Sequence, residues 1–296
     1  MNVAVPPPFE HGRPSSPAKS LGFLFGATAF AGTWVFFIWF VIFLGNLPKR
    51  SHPWIEPTVD VGAATLSPLV AAVANSLLLT VFCLQHSVMA RPAFKRWLGS
   101  VMPPHLERAT YVHAANFAGF LFLAFWTPIP AVVWSIENDA AQALIWFGFG
   151  LGWLILLLAA LAMGVTELLG LRQAYAWSLG RPMAPLKLKT SWLYRYFEHP
   201  MYVGVLLGFW MTPHMTVGHA LLATQLTLYI AIALHYERRD LVARFGPRYL
   251  AWRSEARRPA LPRPATARIA MELLRRFEPI VKEPLPPRMR LLLARI

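Results

Sequence analysis

The chain has 296 residues, of which 56% are hydrophobic and only 14% are charged, with a mean hydropathy of +0.45. Soluble domains usually carry about a quarter charged residues, so this composition excludes an ordinary soluble enzyme and predicts a membrane protein with several spans. Of the 28 Lys and Arg residues, 15 lie between Arg238 and Arg295, after the last apolar run. Basic residues beside a span are typical of its cytoplasmic side, so anionic lipid headgroups are the expected partner and nucleic acid is not.

Long apolar runs predict five to six transmembrane helices, because about 20 apolar residues are needed to cross a bilayer. The last run is long enough for more than one crossing, and Pro213 and Gly218 interrupt it. We therefore expect it to form a helix-turn-helix hairpin of residues 201–212 and 217–235. The sequence thus predicts an all-α polytopic integral membrane protein, with candidate spans at residues 21–46, 64–90, 111–134, 142–166 and 201–235.

Both ends of the chain differ in composition from the predicted membrane domain at residues 21–258. Residues 1–20 are rich in Pro and Ser and are expected to be disordered. Residues 259–296 form a basic, Pro-rich tail, in which residues 265–280 have the apolar and basic spacing of a short amphipathic helix. Such a helix is expected to lie on the membrane surface.

Basic loops predict the orientation of the spans. Residues 91–110 and 167–200 are rich in Lys and Arg, whereas the connections at 135–141 and 213–216 have no basic residue. Loops that carry Lys and Arg stay in the cytoplasm, so these two loops and the C-terminus are expected on the cytoplasmic side, in a bacterial inner membrane. Lys49–Arg50 in the first external loop opposes this orientation weakly.

Two polar clusters flank the last apolar run. "YFEHPMYVG" (196–204) places Glu198 and His199 immediately before it, and "LHYERRDLVARFGPRYLAW" (234–252) follows it. Because a hairpin begins and ends on the same side of the membrane, we expect the two clusters to meet opposite "GLRQ" (170–173). The sequence therefore predicts a pocket at the cytoplasmic interface, with a belt of interfacial salt bridges as the alternative.

Histidines in a membrane segment usually have a function, because a buried ionisable group is costly there. Axial haem ligation is one interpretation, but His214 and His219 are five residues apart across a turn that Pro213 breaks. A zinc site lacks carboxylates or cysteines at ligand spacing, so no metal is expected. The histidines within or beside apolar segments are His86, His113, His199, His214, His219 and His235.

Several motifs together resemble one family. They are "LQHSVMARPAFKRW" (84–97), "LERATYV" (106–112), "ELLGLRQ" (167–173), "LYRYFEHPMYVGVLLGFWMTPHMTVGHALLA" (193–223) and "YERRDLVARFGPRYLAW" (236–252). The chain resembles the methanethiol S-methyltransferases over about residues 64–262, a group that is itself similar to NnrU-like and isoprenylcysteine carboxyl methyltransferase membrane enzymes. The resemblance implies S-adenosyl-L-methionine as methyl donor and a small or apolar thiol as acceptor, with methanethiol, giving dimethyl sulfide, as first candidate.

This resemblance and the chemistry of the donor suggest roles for individual residues. His199, at a helix N-terminus, would receive the donor's carboxylate, and Glu237 would accept hydrogen bonds from the ribose hydroxyls. His86, with Gln85, would take the proton of the thiol. The remaining cofactor-binding candidates are the adenine-stacking aromatics Tyr202 and Tyr249, with Trp252 as a further choice, and the polar residues Arg172 and Gln173.

Three positions depart from the pattern that the resemblance implies. Glu198 stands where related sequences have the Arg of "RHP", Arg238 stands where they have a second acid, and Val165 stands where they have a histidine. We expect Glu198 and Arg238 to form an ion pair with exchanged charges. Two alternatives stay open, a methyltransferase acting on a lipidic thiol or carboxylate and a non-catalytic membrane subunit. The acceptor and the oligomeric state are not predicted.

Overall fold

The computed structural model describes residues 16–47, 57–182, 192–195 and 197–256. Ten helices and two short strands account for most of this part of the chain. In chain order they are α1 (Ser16–Gly45), α2 (Pro68–Ala90), α3 (Pro92–Val101), α4 (Pro104–Phe125), β1 (Val132–Ser135), α5 (Asp139–Met163), α6 (Val165–Leu168), α7 (Leu171–Ser178), a 3-10 turn (Trp192–Arg195), α8 (Pro200–Trp210), β2 (His214–Thr216), α9 (Val217–Phe245) and α10 (Pro247–Ala256).

Four of the helices in the described ranges, α1, α2, α5 and α9, are long and apolar enough to cross a membrane. The mostly helical, membrane-embedded fold is therefore confirmed, whereas the predicted number of five to six spans is not. Helix α8 has 11 residues, or about 16 Å at 1.5 Å per residue, which is too short for a bilayer core of about 30 Å. Helix α4 carries polar residues along its length, among them Arg108, His113 and Asn116.

The structure corrects two of the predicted element boundaries. Helix α1 begins at Ser16, so residues 16–20, assigned to the disordered segment, are helical. The candidate span at 111–134 begins earlier, at Pro104, and ends at Phe125, because Pro128 and Pro130 follow and a proline lacks the N–H that a helix requires. Residues 1–15 and the tail with its amphipathic segment at 265–280 lie outside the described residues.

A two-stranded antiparallel ribbon joins the segments after α4 and after α8. Strands β1 and β2 pair with Val132 opposite Thr216 and Ser135 opposite His214. The ribbon is an addition to the predicted all-α fold. It forms because segments that contain proline follow α4 and α8, and the chain is extended after both helices.

Glycines allow α5 and α8 to pack closely. A methyl group added at Gly204 would lie 2.6 Å from the carbonyl oxygen of Gly152, and one at Gly208 would lie 2.6 Å from the Trp153 ring. Small residues that let helix backbones approach are typical of membrane proteins. Around this contact, aromatic side chains that include Phe43 and Phe122 form the main hydrophobic core.

The helices connect two ends of the molecule that differ in their polar residues. We call the end that holds β1, β2 and residues 57–67 the ribbon end. The opposite end, which holds α3, α6, α7 and α10, is called the α10 end. Ion pairs and hydrogen bonds tie the helices together at the α10 end, for example Arg91 to Asp240 at 3.2 Å and Trp252 Nε1 to the Tyr194 carbonyl oxygen at 3.1 Å.

Candidate functional site

His199 directly precedes α8 at the α10 end. Pro200 occupies the first turn of α8, where its missing N–H costs nothing. The His199 side chain does not cap the helix and lies instead between two carboxylates, with Nε2 3.6 Å from Glu198 Oε1 and Nδ1 3.7 Å from Glu237 Oε2. The Tyr202 hydroxyl donates a hydrogen bond of 3.0 Å to Glu237 Oε2. The structure therefore brings together three predicted site residues, His199, Tyr202 and Glu237.

Glu198 receives contacts from α9 and α10. Arg238 Nε lies 3.6 Å from Glu198 Oε1, which confirms the predicted ion pair. Arg253 Nε lies closer, at 3.1 Å from the same oxygen, and the Tyr249 hydroxyl also donates to it. Arg253 was not among the predicted site residues. Its position one helical turn after Tyr249 was visible in the sequence and places both side chains on one face of α10.

These contacts fix the charges around Glu198. Burial raises the pKa of Glu198, but the hydrogen bond from Tyr249 and the charges of His199, Arg253 and Arg238 together lower it below its ordinary value. Burial, with the hydrogen bond to Glu198, raises the pKa of Tyr249 to about 12. The carboxylate is therefore ionised and the phenol protonated at neutral pH. Tyr249 is fully buried, so its ring is not open to a ligand in this structure.

Burial opposes a positive charge on His199. Burial lowers the pKa of its imidazole, and the nearby charges of Glu237 and Glu198 only partly oppose this effect. Nε2 of His199 and Nε of Arg238 are buried and each lies 3.6 Å from Glu198 Oε1, beyond hydrogen-bond distance, and neither atom makes a hydrogen bond to the described residues. A buried polar atom without a partner is costly, and two such atoms beside a helix N-terminus suit an anionic ligand.

His86 lies on α2 at the same end of the molecule. Its ring centre is 5.2 Å from that of Tyr111 on α4, and the Tyr111 hydroxyl donates to the His86 carbonyl oxygen at 3.4 Å. Nδ1 of His86 is buried and makes no hydrogen bond to the described part of the chain. The neighbouring Gln85 donates to the Met89 sulfur at 3.1 Å, while its buried Oε1 is without a partner there.

Arg108 on α4 is a second candidate that was not among the predicted site residues. Its Nε donates a hydrogen bond of 2.6 Å to the Leu168 carbonyl oxygen, and its Cζ lies 5.1 Å from the centre of the Tyr111 ring. The signal was present in "LERATYV", where Arg108 and Tyr111 have the i, i+3 spacing of side chains on one helix face. The sequence analysis treated Arg108 only as a loop charge.

Helices α6 and α7 supply the remaining candidates. Gln173 donates to the Glu167 carbonyl oxygen at 2.9 Å, and its buried Oε1 lacks a partner among the described residues. Arg172 is exposed and forms an ion pair of 3.1 Å with Glu167. Val165, at the position of the expected histidine, is the first residue of α6. The preceding Gly164 has a φ of 84°, which ends α5 and changes the direction of the chain.

Tyrosines connect the His199 group with the His86 group. The phenols of Tyr111, Tyr202 and Tyr229 lie close enough to interact electrostatically, and the Ser87 hydroxyl donates to the Tyr229 oxygen at 3.2 Å. Residues from α2, α4, α8 and α9 therefore meet at the α10 end. The described chain holds no group of three or more histidines, cysteines and acids that could bind a metal ion.

Comparison with known proteins finds several methanethiol S-methyltransferases among the sequences similar to this chain. The chain is 39% identical over 238 residues to a methanethiol S-methyltransferase of Mycobacterium tuberculosis, a match that covers 80% of this chain and 94% of that protein. It is 37% identical over 238 residues to a methanethiol S-methyltransferase of Pseudomonas deceptionensis, covering 80% and 87%. Nurim of Sus scrofa is 29% identical over 211 residues, covering 67% and 78%. No family model matches the chain, and no solved structure matches it significantly.

Proposed function

Because the chain belongs to the methanethiol S-methyltransferase family, we propose that it transfers a methyl group to a small thiol within the membrane. Methanethiol, giving dimethyl sulfide, is the first candidate. The observation that carries this proposal is the meeting of two groups at the α10 end. One group, around His199, has the residues to hold a charged donor, and the other, around His86, has a base beside a cation.

S-adenosyl-L-methionine is the proposed methyl donor, and the residues of the His199 group fit it. His199 Nε2 and Arg238 Nε are buried without hydrogen-bond partners in the described chain, and both suit the donor's carboxylate. Glu237 is an acceptor for the ribose hydroxyls. When bound, this donor supplies a methyl group on a sulfonium, and the new C–S bond to the acceptor forms as the sulfonium C–S bond breaks and its electrons return to the donor sulfur.

The other cofactor candidates have different roles in this proposal. The rings of Tyr202 and Trp252 are the candidates for stacking on adenine, since Tyr249 is buried and donates to Glu198. We assign Tyr249 to holding Glu198, and through it the position of His199. Gln173 and Arg172 stay candidates, Gln173 through its buried Oε1.

His86 is the proposed base. A neutral imidazole whose ring nitrogen is free can accept the proton of a thiol, and Nδ1 of His86 makes no hydrogen bond to the described part of the chain. The proton leaves the thiol S–H bond, and the electron pair stays on sulfur. Gln85, the residue before His86, can orient the acceptor through its Oε1. Orienting the two reactants can supply several kcal/mol of the barrier reduction.

The activity is tested with detergent-purified protein, S-adenosyl-L-methionine and methanethiol, by measuring dimethyl sulfide in the headspace. We expect dimethyl sulfide to form with the wild-type protein and with Arg96→Met, which changes an exposed residue of α3. We expect it to fall below detection with His86→Ala. If the donor binds but methanethiol is not methylated, the enzyme acts on another acceptor, such as a lipidic thiol or carboxylate. If the donor does not bind at all, the chain is a non-catalytic member of the family.

We further propose that the α10 end faces the cytoplasm of a bacterial inner membrane, with the C-terminus on the same side. Basic residues of the segments at 91–110 and 167–200 support this orientation, and the basic tail would bind anionic lipid headgroups. A reporter fused after Ile296 is expected to be active only in the cytoplasm, and activity outside would reverse the orientation.

A further inference from the structure

We propose that Arg108 binds the acceptor as a thiolate, in a site that Tyr111 and His86 complete. This inference deepens the proposed function and rests on it. It assigns the acceptor class as a small anionic sulfur compound, which a fixed guanidinium stabilises while His86 holds the proton.

The charge of Arg108 is not neutralised by a contact with a carboxylate. None of the ion pairs in the described part of the chain includes it, and the one carboxylate that acts on it from farther away in this part is that of its sequence neighbour Glu107. Arg91 provides a comparison at the same end of the molecule, because it pairs with Asp240 at 3.2 Å. A half-buried cation without a paired carboxylate attracts a small anion more strongly than a paired one does.

The local contacts hold Arg108 in one position. Its Nε is used by the carbonyl oxygen of Leu168 at 2.6 Å, which leaves the two terminal nitrogens of the guanidinium to face a ligand. The Tyr111 ring lies 5.1 Å from its Cζ and 5.2 Å from the His86 ring. Tyr111 thus contacts both the cation and the base, and Arg108 and His86 also interact electrostatically.

Unpartnered polar atoms point to a ligand at this place. Nδ1 of His86 and Oε1 of Gln85 on α2, and Oε1 of Gln173 on α7, are all buried without a hydrogen-bond partner within the described ranges. Gln173 and Arg108 bind adjacent carbonyl groups of α6, those of Glu167 and Leu168, so α7 and α4 meet there. Buried polar atoms normally have partners. Two of these three residues are connected to Arg108, His86 through Tyr111 and Gln173 through α6, so their unpartnered atoms indicate a polar reactant.

The chemistry divides between two residues. His86 takes the proton as the S–H bond breaks, and the electron pair that remains on sulfur is stabilised by the Arg108 guanidinium. The thiolate is the nucleophilic form of a thiol, so a cation that favours it increases the fraction of acceptor that is ready to react. Guanidinium is more weakly hydrated than ammonium, which suits it to a site of low polarity.

A binding experiment tests the site without requiring methyl transfer. Wild-type protein saturated with S-adenosylhomocysteine is titrated with sodium methanethiolate, and the melting temperature is recorded. A ligand that binds only the folded protein raises this temperature. We expect the rise in the wild-type protein and in Arg96→Met, a smaller rise in Arg108→Lys, and none in Arg108→Met.

Kinetics give a second readout. We expect Arg108→Met to lower kcat/KM for methanethiol by about 100-fold or more and to move the rise of kcat/KM with pH to higher pH, with the affinity for S-adenosyl-L-methionine unchanged. Methaneselenol, which is more acidic than methanethiol, should restore activity to His86→Asn but not to Arg108→Met.

The outcomes separate this inference from the proposed function. Thiolate binding that depends on Arg108 in a wild-type protein without methyltransferase activity would remove the proposed function and keep the site. Methyl transfer and thiolate binding that both survive in a folded Arg108→Met protein would overturn the site and keep the function. Arg108→Lys covers the case in which Arg108→Met fails to fold, because a Lys that keeps the charge but gives no thiolate-dependent rise also contradicts the inference.

Discussion

The two ends of the helical bundle both hold buried charged residues, but only one of them satisfies their hydrogen bonds. At the ribbon end, Asp60 accepts from Thr216 at 2.5 Å and from Asn46 at 2.6 Å. His219 is fully buried, with Nδ1 3.3 Å from Asp60 Oδ2 and Nε2 3.0 Å from the Phe209 carbonyl oxygen. At the α10 end, by contrast, buried atoms of His86, His199 and Arg238 make no hydrogen bond to the described chain, although His199 and Arg238 each lie 3.6 Å from Glu198 Oε1.

The difference separates a structural role from a functional one. A satisfied buried network holds chain segments together, here the residues after α1, the end of α8 and the start of α9. Burial raises the pKa of Asp60. The hydrogen bonds from His219, Thr216 and Asn46 lower this pKa by a larger amount, so the net shift is downward. An unsatisfied group at the α10 end carries a cost that binding of a ligand removes. We therefore expect changes at the ribbon end to affect stability and changes at the α10 end to affect binding.

The largest expected effect is on stability at the ribbon end. Asp60→Ala removes one partner of a buried pair and leaves His219 and Thr216 without their acceptor, which should lower the free energy of unfolding by about 3–5 kcal/mol. Thermal unfolding in detergent measures the change, with the exposed Glu137→Ala as the matched control. A loss no larger than that of the control would mean that the network does not stabilise the fold.

A smaller effect is expected on donor binding at the α10 end. His199→Ala and Glu237→Ala should each weaken the binding of S-adenosyl-L-methionine by about 1–3 kcal/mol, the cost of losing a charge-assisted hydrogen bond. Isothermal titration of the purified protein measures the affinity, and Glu137→Gln serves as the control acid. Unchanged affinity in both variants would place the donor elsewhere and leave these residues as interfacial charges.

The charge exchange at Glu198 is tested by a double-mutant cycle. Glu198→Arg alone places a third cation beside Arg238 and Arg253, so folding or donor binding should be impaired. Adding Arg238→Glu should restore part of the loss, since residues in contact show coupling energies of about 0.5–3 kcal/mol. The restoration should be incomplete because Arg253, at 3.1 Å, also contacts Glu198. Strictly additive effects on unfolding and binding would show that residues 198 and 238 do not interact.

The helical membrane fold could be predicted because long apolar runs have one physical solution in a bilayer. The predicted number of spans was not confirmed, because α8, predicted as residues 201–212, is too short to cross a bilayer core. Residues 201–212 are apolar enough for a span, yet α8 ends at Trp210 and the chain becomes extended before β2. Ribbon pairing between segments about 80 residues apart is likewise not visible in local periodicity.

Part of the candidate site was predicted from the path of the chain, which brings distant residues together. The meeting of His199 with Glu237 followed from a chain that leaves one side and returns to it, and that contact is confirmed. Arg108 and Arg253 were missed because their significance depends on what lies opposite them. Arg108 is a candidate because no carboxylate pairs with it in the described chain, and Arg253 contacts Glu198 because α10 packs back onto that residue.

The smallest expected effect concerns pH and Glu198. Its pKa is below its ordinary value in the folded protein, because Tyr249, His199, Arg253 and Arg238 together outweigh burial. A group whose folded pKa is lowered stabilises the protein above its unfolded pKa, near 4.5, and the contribution is lost as the pH falls through the folded value.

Asp60 titrates in the same direction, so the wild-type protein alone cannot isolate Glu198, and a comparison with Glu198→Gln is required. The glutamine keeps an acceptor for the Tyr249 hydroxyl and removes only the charge. We expect the stability difference between the two proteins to be constant from pH 6 to pH 7 and to shrink below about pH 4.5, as measured by melting temperature in detergent. A difference that does not change with pH would mean that the cations of α9 and α10 do not stabilise the Glu198 carboxylate. The approach of α10 to the His199 group would then rest on the Tyr249 hydroxyl and on packing alone.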